Sequence, residues 1–310
     1  MNPAAKTAKY FAYGLAGVII FGIIAGIVAA IGGILMAVGI IGGKAPDVNV
    51  DCAEYEKCLA LSIGAATLEI KEGNELAYTS DIDNLEVSLG DTKLVIKDKS
   101  RVHWFGNNDK KTITVTVPKD MKFDMIGIAS GAGKINTEKL VTKGAKFDLG
   151  AGETMIRDLE VSDSAKIDAG VGKVTIDGGL INNAEIALGI GSANISSKLT
   201  GKSKIDCGIG SVNLNLLLPD SAYTIRADKG IGSINFNGSK ISDSSIIGNG
   251  DYEIDIDGGI GSINITTAAK NDVEKLEENT VEESKEDVSK DVNTETKADE
   301  TPGVVIAPQE

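Results

Sequence analysis

Apolar and polar residues alternate along most of residues 59–267, and Gly-x-Gly interrupts the alternation at intervals. The stretch AKIDAGVGKVTIDG at 165–178 is one copy; AKFDLGAGETMI, AEIALGIGSANI and SKIDCGIGSVNL are others. The first glycines of the pairs are Gly131, Gly150, Gly170, Gly189, Gly208, Gly230 and Gly259, with spacings of 19, 20, 19, 19, 22 and 29 residues. A period of two predicts strands. A recurrence of about 20 residues predicts a solenoid, because one such unit cannot bury its apolar edge without neighbours. The expected fold class is therefore all-β, a single-stranded parallel β-helix or solenoid with coils of about 20 residues.

Stacked coils place matching residues in columns about 4.8 Å apart. Phe147, Ile167, Ile186, Ile205, Ala227 and Ile256 precede the glycine pairs and predict one interior column. Ala132, Ala151, Val171, Ile190, Ile209, Ile231 and Ile260 lie between the paired glycines and predict a second. Val174 and Ile176, Val212 and Leu214, and Ile263 and Ile265 predict two more. The glycines suit a coil corner, where positive φ and close backbone approach are both required. A phosphate-cradling loop would need a helix after the glycines, and a strand follows instead. GGIGSIN at 258–264 resembles the start of a calcium-binding nonapeptide, but Ile263 stands where that repeat needs Asp.

Two polar columns alternate with the apolar ones. Asp148, Asp168, Asp206, Asp228 and Asp257 share one position, interrupted by Ala187. Lys146, Lys166, Lys204 and Arg226 lie two residues upstream on the same face and can neutralise it. The column reads as a solvated face, with a cation- or ligand-binding face as the rival. Asn194, Asn213, Asn235 and Asn264 share another position and read as an amide ladder in preference to a recognition surface.

The flanks differ in character. Residues 10–43 are 34 consecutive uncharged residues, between a short N-terminus at 1–9 and a linker at 44–58. As a helix they would span roughly 50 Å, enough for one crossing of a hydrocarbon core of about 30 Å. The run is longer than a signal-peptide core, so an uncleaved transmembrane signal anchor is expected. Lys6 and Lys9 precede it, while Asp47, Asp51, Glu54 and Glu56 follow. Positive-inside then places the N-terminus in the cytoplasm and the solenoid outside, as a single-pass membrane protein. Residues 59–100 read as degenerate earlier coils, followed by a loop or hairpin tip holding His103, Trp104 and Phe105 and by the strand KTITVTV. Those aromatics read as a cap over the end of the core, with a contact patch as the rival. Residues 268–310 read as a disordered tail. Within it, 271–300 holds 12 acidic and 4 basic residues, more than half of the net charge of −14.

Composition narrows the chemistry. An acidic chain lacks the basic footprint of a nucleic-acid binder. One histidine, His103, and three cysteines exclude most histidine-based catalysis and any thiolate-rich zinc site. No cofactor, metal or catalytic residue is expected. Cys52 and Cys58 lie close together in an acidic loop and would be either a disulfide or two free thiols. Cys207 shares its column with Leu149, Ala169 and Leu188 and reads as a small packed residue.

The run TITVTVPKDMKFD leading into Gly-Ala-Gly repeats, and the later LPDSAYTIRADKGIGSI, resemble the bacterial putative-adhesin family of unknown function. The resemblance covers about 58–266 and implies a repetitive β-solenoid, often behind a transmembrane helix, in proteins associated with envelope stress. It brings no catalytic motif. The expected function is a membrane-anchored, non-enzymatic adhesion or binding module of the bacterial cell envelope. Its partners would be an envelope glycan or a membrane protein, and open solenoid ends could also pair with one another. The alternative is a structural or regulatory partner of a membrane stress-sensing system. A polysaccharide-acting enzyme is the weakest reading, because the carboxylates recur as columns and form no single asymmetric cluster.

Overall fold

The computed structural model describes residues 45–99 and 111–268. The expected membrane span at 10–43, the His103–Phe105 loop and the acidic tail beyond Ala268 lie outside the described residues. Among the described residues no helix is long and apolar enough to cross a membrane.

Strands β1 (Cys58–Gly73), β2 (Ala77–Ser80), β3 (Leu85–Leu89), β4 (Lys93–Asp98) and β5 (Thr112–Pro118) come first. Next are β6 (Phe123–Thr137), β7 (Leu140–Asn182), β8 (Ala184–Thr200) and β9 (Lys202–Pro219). The last are β10 (Tyr223–Phe236), β11 (Ser239–Ile241), β12 (Ser245–Gly248) and β13 (Tyr252–Ala268). The structure is all-β and solenoid-like. β6, β7, β8 and β9 pair in parallel, with Ile128 beside Phe147, Ile167 beside Ile186 and Ile186 beside Ile205. The expected columns at Phe147–Ile256, Val174–Ile263 and Ile176–Ile265 are buried. Each such aliphatic side chain contributes about 1.5–3 kcal/mol on full burial, and only an adjacent coil completes that burial.

Coil order departs from chain order at both ends. Sequence alone stacks the Gly259 coil on the Gly230 coil at the end of the row. The structure instead inserts β13 between β9 and β10, with Ile256 beside Ile205 on one side and Ala227 on the other. At the opposite end β1 lies between β6 and the outermost coil, to which β4 and β5 both contribute. Residues 59–100 are therefore one inner coil followed by part of the outermost coil, not successive coils. The outermost coils carry short antiparallel partners: β3 on β4, β2 on β5, and β11 and β12 on β10. These partners occupy edges that a plain stack would leave open to pairing.

The linker packs against the coils. Val48 donates its backbone N–H to Ser62 Oγ at 3.1 Å. Val48, Cys52, Cys58, Ala60 and Ala129 form a small second core on the outside of β1 and β6. Cys52 and Cys58 are joined by a disulfide, with Cα atoms 5.4 Å apart. Asp124 ties the same segment down, accepting the backbone N–H groups of Glu56 at 3.2 Å and Lys57 at 2.9 Å. This cover explains the small residues Gly127 and Ala129, which take the register positions of Lys146 and Asp148. A charged side chain there would be buried beneath Val48 and Val50, whose methyl groups would meet any Cβ on Gly127.

Candidate functional site

The Gly-x-Gly corner faces outward. The two glycines of each pair differ in backbone conformation. Among the described residues, positive φ falls on the second: +134° at Gly133 and +146° at Gly210, with all the others between +144° and +150°. Both permit close approach: a Cβ on Gly189 would come within 2.6 Å of the Gly170 carbonyl oxygen, and one on Gly191 would overlap the Gly172 carbonyl oxygen.

The residue between the glycines lies on the outside, which corrects the second interior column. Cys207 and Val212 both point inward, and five positions separate them, an odd interval. The alternation therefore shifts phase by one at the positive-φ glycine, and Ile209 sits at the corner instead of beneath it. The result is a ridge. Val171 lies beside Ile190, Ile190 beside Ile209, Ile209 beside Ile260, and Ile260 beside Ile231. Ala151 and Ala132 continue it toward β1. Side-chain size grows along the row from Ala to Ile, and exposure reaches 50 % at Ile260 and 70 % at Ile231.

The aspartate row borders this ridge. Its order in space is Asp148, Asp168, Ala187, Asp206, Asp257, Asp228, which sets the last three carboxylates side by side. Lysines neutralise it as the upstream spacing suggests. Lys146 approaches Asp148 at 3.5 Å and Lys166 approaches Asp168 at 3.7 Å. Lys204 bridges Asp206 at 2.9 Å and Asp257 at 3.5 Å. Asp228 instead accepts a short hydrogen bond from Ser244 Oγ. The upstream row itself alternates in sign: Lys166, Glu185, Lys204, Asp255, Arg226. The hydrogen bond to Asp206 holds the Lys204 ammonium above its usual pKa, and that to Glu185 does the same for Lys166. These pairs are solvent-exposed, and each is worth about 0–1 kcal/mol.

On the other side of the ridge runs a serine row, Ser192, Ser211, Ser262 and Ser233. The asparagine column is a ladder. Asn235 donates to Asn264 at 2.8 Å, Asn264 to Asn213 at 2.9 Å, and Asn213 to Asn194 at 2.8 Å. Its amides are committed to one another and are only partly exposed. Cys207 is buried beside Leu188, and burial pushes its thiol pKa up. Among the described residues no group of three or more His, Cys, Asp or Glu side chains is placed to hold a metal ion.

The ridge was legible in the sequence as a row of aliphatic residues, but not as an exposed one. The missing signal was the odd interval across each glycine pair.

Two crystal structures are similar to the chain. A putative cell adhesion protein from Clostridium sporogenes ATCC 15579 is 18 % identical, with 71 % of this chain and 96 % of that chain covered and a TM-score of 0.28. A putative adhesin from Bacteroides fragilis NCTC 9343 is 14 % identical, with 66 % and 90 % covered and a TM-score of 0.30. No curated protein matches. The profile of the family described as Toastrack DUF4097 matches residues 57–301, a span that takes in every coil from β1 to β13. The recurring glycine corners and the in-register coils are thus those of a family member: the chain belongs to the Toastrack DUF4097 family.

Proposed function

We propose that this chain is a non-enzymatic binding module of the bacterial cell envelope. In this reading residues 10–43 anchor it in the membrane and the solenoid projects outside the cell. The binding surface is the aliphatic ridge at the Gly-x-Gly corner. One observation carries the reading: a continuous aliphatic row stands outside the core, ending in Ile209, Ile260 and Ile231. Exposed apolar rows of this kind mark interaction surfaces on soluble domains. The aspartate row on one flank and the serine row on the other add polar groups that would orient an apolar partner carrying cations or hydrogen-bond donors. The packed linker supports the reading, because it would hold the solenoid rigidly to whatever precedes residue 45.

The test uses cells displaying the full chain with a tag after Glu310. External protease should remove the tag from intact cells. Adhesion of those cells to host-protein and glycan surfaces should then fall at least tenfold in the triple variant Ile209→Ser, Ile260→Ser, Ile231→Ser. A tag protected until lysis would refute the topology. Undiminished adhesion by the triple variant would refute the ridge as the binding surface.

A further inference from the structure

A second surface lies on a different face of the coils, away from the glycine corner. A groove of about 710 Å³ runs along the stack from Lys122 and Phe123 to Leu217. Its floor includes Val141, Leu180 and Leu217, and Leu180 is 39 % exposed. Lys122, Lys143 and Lys198 line it as well. Its two acids, Asp158 and Glu160, are already held by Lys139 at 3.2 Å and 2.6 Å. Lys143 is engaged by Asp124 at 2.8 Å. Lys122 and Lys198 are exposed and make no ion pair among the described residues. The groove thus offers an apolar floor and two cations that no described acid pairs with.

We propose that this groove is the docking site for the chain's own acidic C-terminal segment, with residues 271–281 as the anchor. Three observations select this occupant. The first is where the chain leaves the solenoid. Thr267 pairs with Leu216 and Ala268 with Pro219, so the segment departs beside Leu217, at one end of the groove. The second is chemistry. NDVEKLEENTV at 271–281 sets Val273, Leu276 and Val281 among Asp272, Glu274, Glu277 and Glu278. That composition complements an aliphatic floor flanked by Lys122 and Lys198. The third is reach. Five coil steps of about 4.8 Å make a path of roughly 25 Å, which about eight extended residues cover. The family match also continues past the last strand to residue 301. The inference does not depend on the ridge or on the membrane topology.

Paired cysteines in the full chain in detergent micelles test it. Ser162→Cys, which lines the groove and is exposed, is combined in turn with Val273→Cys and Val281→Cys, and the rate of disulfide formation within one chain is read by mass and gel mobility. The comparison site is Ser192→Cys, on the serine row, with the same tail positions. Leu217→Cys serves as a second groove site. Groove cysteines should cross-link at least fivefold faster than the Ser192→Cys site, and Lys122→Glu or 1 M salt should reduce that preference. Equal rates at groove and comparison sites would overturn the proposal. So would cross-links that join only separate chains, since the occupant would then be a second copy.

Discussion

Asn264 donates its side-chain amide to Asn213 Oδ1 at 2.9 Å across a sequence separation of 51. It also accepts from Asn235, which lies between the two in the chain. This pair of bonds records the inserted coil: the last repeat sits inside the stack and a repeat written earlier forms the end. One of the two inner residues of the ladder, Asn264, is therefore the one that the sequence places last.

Asn264→Ala should cost more than Asn235→Ala. Loss of Asn264 removes one donor and one acceptor and leaves two half-buried partners unmatched. Loss of Asn235 removes only the terminal donor. With about 1 kcal/mol net per hydrogen bond and a further penalty for orphaned groups, the expected losses are about 2–3 and about 1 kcal/mol. Urea unfolding midpoints of the two variants check the ranking, and equal losses would show that the ladder contributes no cooperative stability.

The second glycine of each pair should resist substitution. Gly210 has φ +146°, and a Cβ there would overlap the carbonyl oxygen of Gly191. Gly238 has φ +77° but open space around the same position. Gly210→Ala combines backbone strain with an overlap in the coil stack and should cost at least about 3 kcal/mol. Gly238→Ala carries the strain alone, about 1–2 kcal/mol. Thermal unfolding of both variants measures the difference, and similar melting temperatures would refute the close-approach argument.

Acid should loosen the linker through Asp124. The Lys143 ammonium, then the Lys57 backbone N–H, hold its carboxyl below the ordinary value of 3.8. A depressed carboxylate pKa contributes stability that is present above the unfolded value and lost as pH falls through the folded one. Wild type should thus exceed Asp124→Asn in stability at neutral pH, and the gap should close as pH falls below about 4. Hydrogen exchange at the amides of Glu56 and Lys57 reports the same event locally. A pH-independent difference between the two proteins would remove the carboxylate from the account.

Local chemistry determined much of this protein. The period-two alternation specified strands, and the recurring Gly-x-Gly specified a coil corner in each repeat. The period of two put Lys204 on the same face as Asp206, and matched spacing linked the asparagines, because columns follow directly from in-register coils. Coil order was not written locally. The Gly259 repeat carries the same pattern as its neighbours, so it fits any place in the stack. Only the global arrangement, with short antiparallel strands covering each end, decides that it enters between β9 and β10. The direction of Ile231 and Ile260 was written locally, in the odd interval across each glycine pair and the positive φ of its second glycine. An aliphatic residue between two glycines suits a core by composition, and the positive-φ turn sends it outward. The groove from Phe123 to Leu217 exists only because successive coils present one corner in line. A chain read one repeat at a time contains the parts of that surface but not their alignment, which comes from stacking.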